Sequence, residues 1–370
     1  MHALDRLQIR GFKSIREADL ELPRLSVMIG ANGAGKSNLI AVFELLHSLV
    51  HERLQVYVQQ AGGADSLLHF GRKNTDELKL RFRFGKNAYE CRLLPTAEDK
   101  LVFGDETLYF DRSFFPRSGS SGQYEETLGS GHLESLLPEA VRKAERKKVA
   151  HYVLTAFESW RVYHFHDTSA AARVKQTGDV DDNEVLRADA GNLAAFLYRL
   201  RETEPDVYSN IVETIRMVTP FFGSFRLRPN PLNPRKIRLE WQERDSDVYF
   251  DAHALSDGTL RFVCLATLLL QPDPPTTVLL DEPELGLHPF AIAVLADLLR
   301  AAAQRTQVIA STQSVTLVNQ LSPENLIVVD REGRESRFRR PGADEIASWL
   351  DDYSLGELWE KNVIGGRPGG

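Results

Sequence analysis

The sequence predicts an α/β fold whose two halves are separated by a mostly helical insertion. Three observations carry that expectation. Near the start, the apolar stretch Leu25–Ile29 runs into a glycine-rich turn and then into residues at helical spacing. Near the other end, the apolar run Thr277-Val278-Leu279-Leu280 stops at two acids, Asp281 and Glu282. Between them, residues 192–201 and 206–218 carry helical periodicity, and a longer helical stretch spans about 132–160, interrupted at Pro138.

The first element is the most specific. Gly30-Ala31-Asn32-Gly33-Ala34-Gly35-Lys36-Ser37-Asn38 satisfies G-x-x-x-x-G-K-[ST] without a mismatch. Leu39, Ile40, Phe43, Leu46 and Leu49 then recur at helical spacing. The glycines therefore fall at a strand-to-helix turn. There, backbone N–H groups and the helix N-terminus face an anion. Lys36 is expected on the β- and γ-phosphates of a nucleoside triphosphate, and the Ser37 hydroxyl on Mg²⁺.

The second element assigns the acids. A carboxylate at the tip of an apolar strand, beside such a loop, holds the metal and its water; that is Asp281. Glu282 follows and is placed to polarise an attacking water. The third element is Ala254-Leu255-Ser256-Asp257-Gly258-Thr259-Leu260-Arg261. Ser256 reads as an N-cap, and Leu260, Val263, Cys264 and Leu268 give the helix an apolar face. From this segment alone, an ordinary capped helix explains the residues.

Its place just before the Asp-Glu strand makes it resemble the signature motif of the ABC ATPase superfamily. In that superfamily, the signature of one subunit closes over the γ-phosphate held by the other. The resemblance thus implies that Ser256 and Gly258 contact ATP bound by a second chain, most simply a second copy in a two-fold dimer. Leu7-Gln8-Ile9-Arg10-Gly11-Phe12-Lys13-Ser14-Ile15 resembles the opening strand of SMC, RecF and OLD-family ATPases. Asn32 and Asn38 in the loop, and Glu284-Leu285-Gly286-Leu287-His288-Pro289, point the same way. The match spans roughly residues 1–50 and 250–330. The chain is similar to stand-alone bacterial ABC-type ATPases of the AAA family, and the fold implied is an ABC-type P-loop ATPase head with a mostly helical insertion.

One motif departs from the resembled pattern. Where the family usually carries a Thr-His-Ser-type switch, this chain reads Ser311-Thr312-Gln313-Ser314. Gln313 can hydrogen-bond a phosphate or orient water, but it cannot carry a proton's charge. Slow turnover is expected. His288 is the nearby histidine; it reads either as a substitute for the missing switch histidine or as a helix-start residue.

Composition sets the address. Net charge is −7, so no global attraction to nucleic acid exists. The 42% hydrophobic content supports a sizeable core. Cys91 and Cys264 sit in apolar runs and read as core residues in a reducing compartment. No apolar run approaches the roughly 18 residues of a membrane span, and the first residues lack a basic-then-apolar signal pattern. A cytoplasmic protein without a membrane role is the expectation.

The expected organisation is 1–115 and 226–370 as two parts of one head, with 116–225 inserted. Leu78–Phe84 alternates apolar and basic residues, and Tyr89-Glu90-Cys91-Arg92-Leu93 is its expected hairpin partner. The tract 118–122 reads as a loop. Arg142, Lys143, Arg146, Lys147 and Lys148 form a basic helix stripe, open to a nucleic acid but more often a solvated face. His164, His166 and Asp167 invite a metal reading; strand alternation instead separates Asp167 from the histidines. OLD proteins carry a nuclease domain after the ATPase. Here about forty residues follow Asp330 and end in a glycine-rich tail expected to be flexible. The resemblance therefore implies an antiphage switch subunit with a separate effector chain. The alternatives are a RecF-like ATPase that clamps DNA and an ATP-holding subunit with little turnover.

Overall fold

A computed structural model of the chain describes residues 3–111, 123–143, 148–342 and 346–367. They form two compact units. The first comprises Met1–Trp160, Pro275–Thr277 and Ser322–Gly370; the second comprises Arg161–Pro274 and Val278–Leu321.

The first unit contains a six-stranded antiparallel sheet. In spatial order its strands are Ile15–Glu21, Arg6–Phe12, Leu78–Phe84, Asn87–Pro95, Leu101–Asp111 and Gln123–Gly129. The expected hairpin is present, with Leu80 opposite Cys91 and Phe82 opposite Tyr89. Alternation along Leu78–Phe84 sends Leu78, Leu80, Phe82 and Phe84 to the buried face. The helix Lys148–Glu158 supplies Phe157, which packs edge-on against Phe82, Phe84 and Tyr89. Trp160 fills the space between this cluster and Phe43.

The same unit carries a parallel pair. Leu25–Ile29 is wholly buried and lies beside Leu326–Glu332, with Val27 opposite Leu326 and Ile29 opposite Val328. Burial on both faces explains its unbroken apolar sequence. The strand Glu335–Arg339 returns antiparallel on the far side. From Lys36 the helix Lys36–Val50 buries Leu39, Ile40, Phe43, Leu46 and Leu49, the residues read as its apolar face.

The strand Thr277–Asp281, in the second unit from Val278 onward, lies between Gln307–Thr312 and Trp160–Tyr163. Helices Asp257–Leu270 and Pro289–Ala303 pack against one another and against Pro205–Val218. A three-stranded sheet, Phe222–Phe225, Glu240–Glu243 and Tyr249–Asp251, stacks Trp241 on Phe222.

Two local expectations change. The helical stretch expected over about 132–160 starts at Leu137; Leu137–Lys143 and Lys148–Glu158 are helical, with 144–147 outside the described residues, and Pro138 sits in the first turn rather than breaking it. Proline lacks only an N–H that is unbonded there anyway. Ahead of that helix the chain is tied to Glu106, which is fully buried and accepts from Tyr89, His132, Ser135 and the Leu136 N–H. The tail is docked as far as it is described. The Gly366 N–H donates to Asp330 at 2.6 Å and Arg339 donates to the Ile364 carbonyl at 2.6 Å. The stripe is partly neutralised, since Arg142 pairs with Glu52 at 2.9 Å and Lys143 with Glu139. Arg146 and Lys147 lie outside the described residues, as do the side chain of Lys148 and the 118–122 tract.

Candidate nucleotide site

The phosphate loop belongs to the first unit. Gly33 and Gly35 adopt φ of 73° and 119°, which side chains seldom tolerate. At Gly30 a Cβ would lie 2.3 Å from the Val329 carbonyl, so only glycine lets the loop leave its strand there. Gly35 caps the helix Lys36–Val50 without a side chain, and no acid occupies the first turn. The helix start thus keeps its positive end unscreened, as an anion requires. Lys36 is 5% exposed, and its ammonium donates to the Gly30 and Ala31 carbonyls at 2.6 and 3.0 Å. Ser37, Asn32 and Gly33 are exposed at the loop surface.

A second tier of contacts holds the loop. Asn38 donates to the Ser14 hydroxyl at 2.6 Å, and Ser14 shares a hydrogen bond of 2.6 Å with Ser336. Ser336 in turn donates to the Ala34 carbonyl. Arg331 donates to the Gly33 carbonyl at 3.0 Å. Ser14 lies inside the resembled opening strand, so its segment was legible. Ser336 and Arg331 come from the remote C-terminal strands, and no local pattern points to them.

The acids and the switch belong to the second unit, where they are brought together. Ser311 donates to Asp281, and Gln313 donates its side-chain amide to Glu282. Glu282 has φ of 42°, a strained value for a side-chain-bearing residue. Its N–H is pinned by the Ser311 carbonyl at 3.1 Å and the Ser311 hydroxyl at 3.2 Å. Sequence reasoning gave Glu284 a place in a resembled motif but no role. It is 7% exposed, and one carboxylate oxygen accepts from the Thr312 hydroxyl at 2.5 Å and the Gln313 N–H at 3.2 Å. Its other oxygen has no hydrogen-bond partner, and burial pushes the carboxyl above the usual carboxylate range. Glu284 therefore ties the switch strand to the acidic turn.

The signature segment also belongs to the second unit. Ser256 caps the helix Asp257–Leu270, accepting from the Thr259 N–H at 3.2 Å, and remains exposed. A Cβ at Gly258 would lie 2.4 Å from the Gly286 carbonyl, which excludes any larger residue without a shift. Arg261, 7% exposed, donates to the carbonyls of Phe165 at 3.0 Å, His166 at 3.2 Å and Leu285. It locks the signature helix onto the turn after the acids.

Other readings resolve plainly. His288 is a helix cap, its Nδ1 accepting from the Phe290 N–H at 3.3 Å. The 164–167 stretch lies beyond the strand Trp160–Tyr163, and among the described residues no three His, Cys, Asp or Glu side chains gather to hold a metal ion. Cys91 and Cys264 are buried, and burial pushes the Cys264 thiol up to about 12. No helix among the described residues is long and apolar enough to cross a membrane.

The family model described as "AAA domain, putative AbiEii toxin, Type IV TA system" matches residues 25–319. No curated protein gives a significant match. Among solved structures, an SMC head bound to the C-winged helix domain of ScpA matches with a TM-score of 0.59 at 15% identity, covering 92% of this chain and 98% of that one. An SMC head with an extended coiled coil, bound to the C-terminal domain of ScpA derived from Pyrococcus furiosus, matches with a TM-score of 0.53 at 16% identity, covering 95% and 99%. At such identities the likeness concerns the fold, which is that of an ABC-type ATPase head of the SMC kind.

Proposed function

The chain belongs to this AAA-domain family, and on that premise we propose that it is an ATP-binding and ATP-hydrolysing switch or sensor subunit of a bacterial antiphage defence system. It dimerises around ATP in the cytoplasm and controls a separate effector chain. The observation that carries the reading is the buried Lys36 ammonium, wrapped by its own loop at an unscreened helix start.

Each residue then has a role. Loop N–H groups and Lys36 hold the phosphates. The Ser37 hydroxyl and the Asp281 carboxylate are hard oxygen donors suited to Mg²⁺, which when bound offsets phosphate charge. Glu282 orients the attacking water and accepts its proton. Gln313 fixes the Glu282 carboxylate but contributes no cation, so turnover is slow. Exposed Ser256 and half-buried Gly258 present a helix start to the nucleotide of a second copy.

Two comparisons support the wider role. The family description itself names a toxin system. Both SMC heads were solved with a ScpA domain bound, so heads of this fold dock separate chains. The test is native mass spectrometry of Glu282→Gln recovered from its own cells, with and without ATP. A stoichiometric second protein on an ATP-dependent dimer is the expected result. A nucleotide-indifferent monomer without a partner would overturn the reading.

A further inference from the structure

Residues 226–239 read Arg-Leu-Arg-Pro-Asn-Pro-Leu-Asn-Pro-Arg-Lys-Ile-Arg-Leu, with five cations and no acid in a chain of net charge −7. The segment folds into two consecutive turns. The Asn233 N–H donates to the Asn230 carbonyl at 3.0 Å, and the Lys236 N–H to the Asn233 carbonyl at 2.9 Å. Pro231 and Pro234 occupy the second position of each turn, where their fixed φ is preorganised. The Asn230 N–H closes the loop on the Lys236 carbonyl at 2.7 Å, and the Asn230 side chain accepts from the Leu232 N–H at 2.9 Å. The loop is anchored below by Lys236 paired with Asp179 at 2.7 Å and by the Val180 N–H on the Arg235 carbonyl at 2.9 Å.

This rigid tip presents Leu232, which is 97% exposed. Beside it lies a cleft of about 260 Å³ lined by Arg228, Asn230, Lys236, Arg238 and Glu240. Arg238 and Arg226 are paired with Glu240 at 2.6 and 3.9 Å, and Arg226 also stacks on Tyr249. Arg228 and Arg235 form no ion pair among the described residues and are exposed. A fully solvated leucine on a stiff turn, flanked by two unpaired arginines, makes no contribution to packing. Apolar wedges beside arginines are how proteins engage the minor groove of DNA, and arginines set the register on its phosphates.

We propose that this double turn is a contact site for duplex DNA, with Arg228 and Arg235 on phosphates and Leu232 against base edges in the minor groove. The two exposed arginines left over after Glu240 and Asp179 pair the other three cations favour a polyanion over an apolar protein groove. The preorganised turns lower the ordering cost of binding.

The experiment is fluorescence anisotropy of the full chain with a labelled duplex across a salt series, without nucleotide. Arg228→Ala/Arg235→Ala is expected to weaken binding and to flatten the log–log salt slope by about 2, one for each lost phosphate contact. Leu232→Ser is expected to weaken binding about tenfold, the scale of one lost base contact, with the slope unchanged. All three positions are exposed, so the fold tolerates the changes. Wild-type affinity in both variants would overturn the site. So would capture of polyglutamate in place of DNA with the same variant sensitivity, which would make the surface a dock for an acidic protein.

Discussion

The side-chain amide of Gln313 donates to the Glu282 carboxylate. The residue that departs from the resembled switch motif is therefore joined to the residue assigned to water activation. Glutamine fixes that carboxylate without adding charge, whereas an imidazolium would also favour the negative charge that develops during phosphoryl transfer. Gln313→His is expected to raise single-turnover phosphate release several-fold. An unchanged rate would place the limiting step elsewhere, in closure or product release.

Lys36→Ala removes the buried ammonium of the phosphate loop. A ligand at a hundredfold over its dissociation constant stabilises a fold by about 2.7 kcal/mol. Thermal melting of the native protein should rise measurably with Mg-ATP, and that of the variant should not. An equal rise in both would remove the loop from nucleotide binding.

Much of the site was legible because its parts are local. The phosphate loop, the apolar strand ending at Asp281 and the Ser256 cap each lie within one short segment, and each forms as expected. What was hidden depends on distant partners. Ser336 reaches the loop from more than three hundred residues away through Ala34 and Ser14. Glu284 reads as part of a motif, yet its bond to Thr312 appears only once two strands lie side by side. The described part of the glycine-rich tail was misread because composition alone suggests freedom. Gly365 and Gly366 instead use φ of 75° and 77° to let the backbone approach Asp330 and Val328 closely.

Ser256→Arg tests the shared site. Ser256 is exposed at its helix start, so the substitution is expected to leave nucleotide binding by the monomer intact and to abolish closure and most hydrolysis. Mixed with Lys36→Ala chains, it should recover part of the turnover, because one composite site stays whole and the other is spoiled twice. Wild-type hydrolysis by Ser256→Arg alone would contradict the two-chain site.

Glu284 predicts a pH signature. Burial raises its carboxyl above the usual range in the folded state, while the unfolded chain releases that proton near pH ~4.3. The unfolded state then binds fewer protons above that pH, so this group lowers stability as pH rises through the window up to its folded value. Glu284→Gln does not titrate. Urea midpoints of the variant should gain on those of the native protein as pH rises above ~4.3. Parallel curves would mean that Glu284 ionises as freely folded as unfolded.

The most direct test of the account is single-turnover phosphate release by Glu282→Gln, with ATP binding and sedimentation followed in parallel. The account predicts native affinity for Mg-ATP, phosphate release slowed at least a hundredfold, in line with loss of a general base, and accumulation of an ATP-bound dimer. Asp281→Ala, by contrast, should bind the nucleotide weakly. Undiminished phosphate release by Glu282→Gln would contradict the assignment of this site as the centre of an ATP-driven switch.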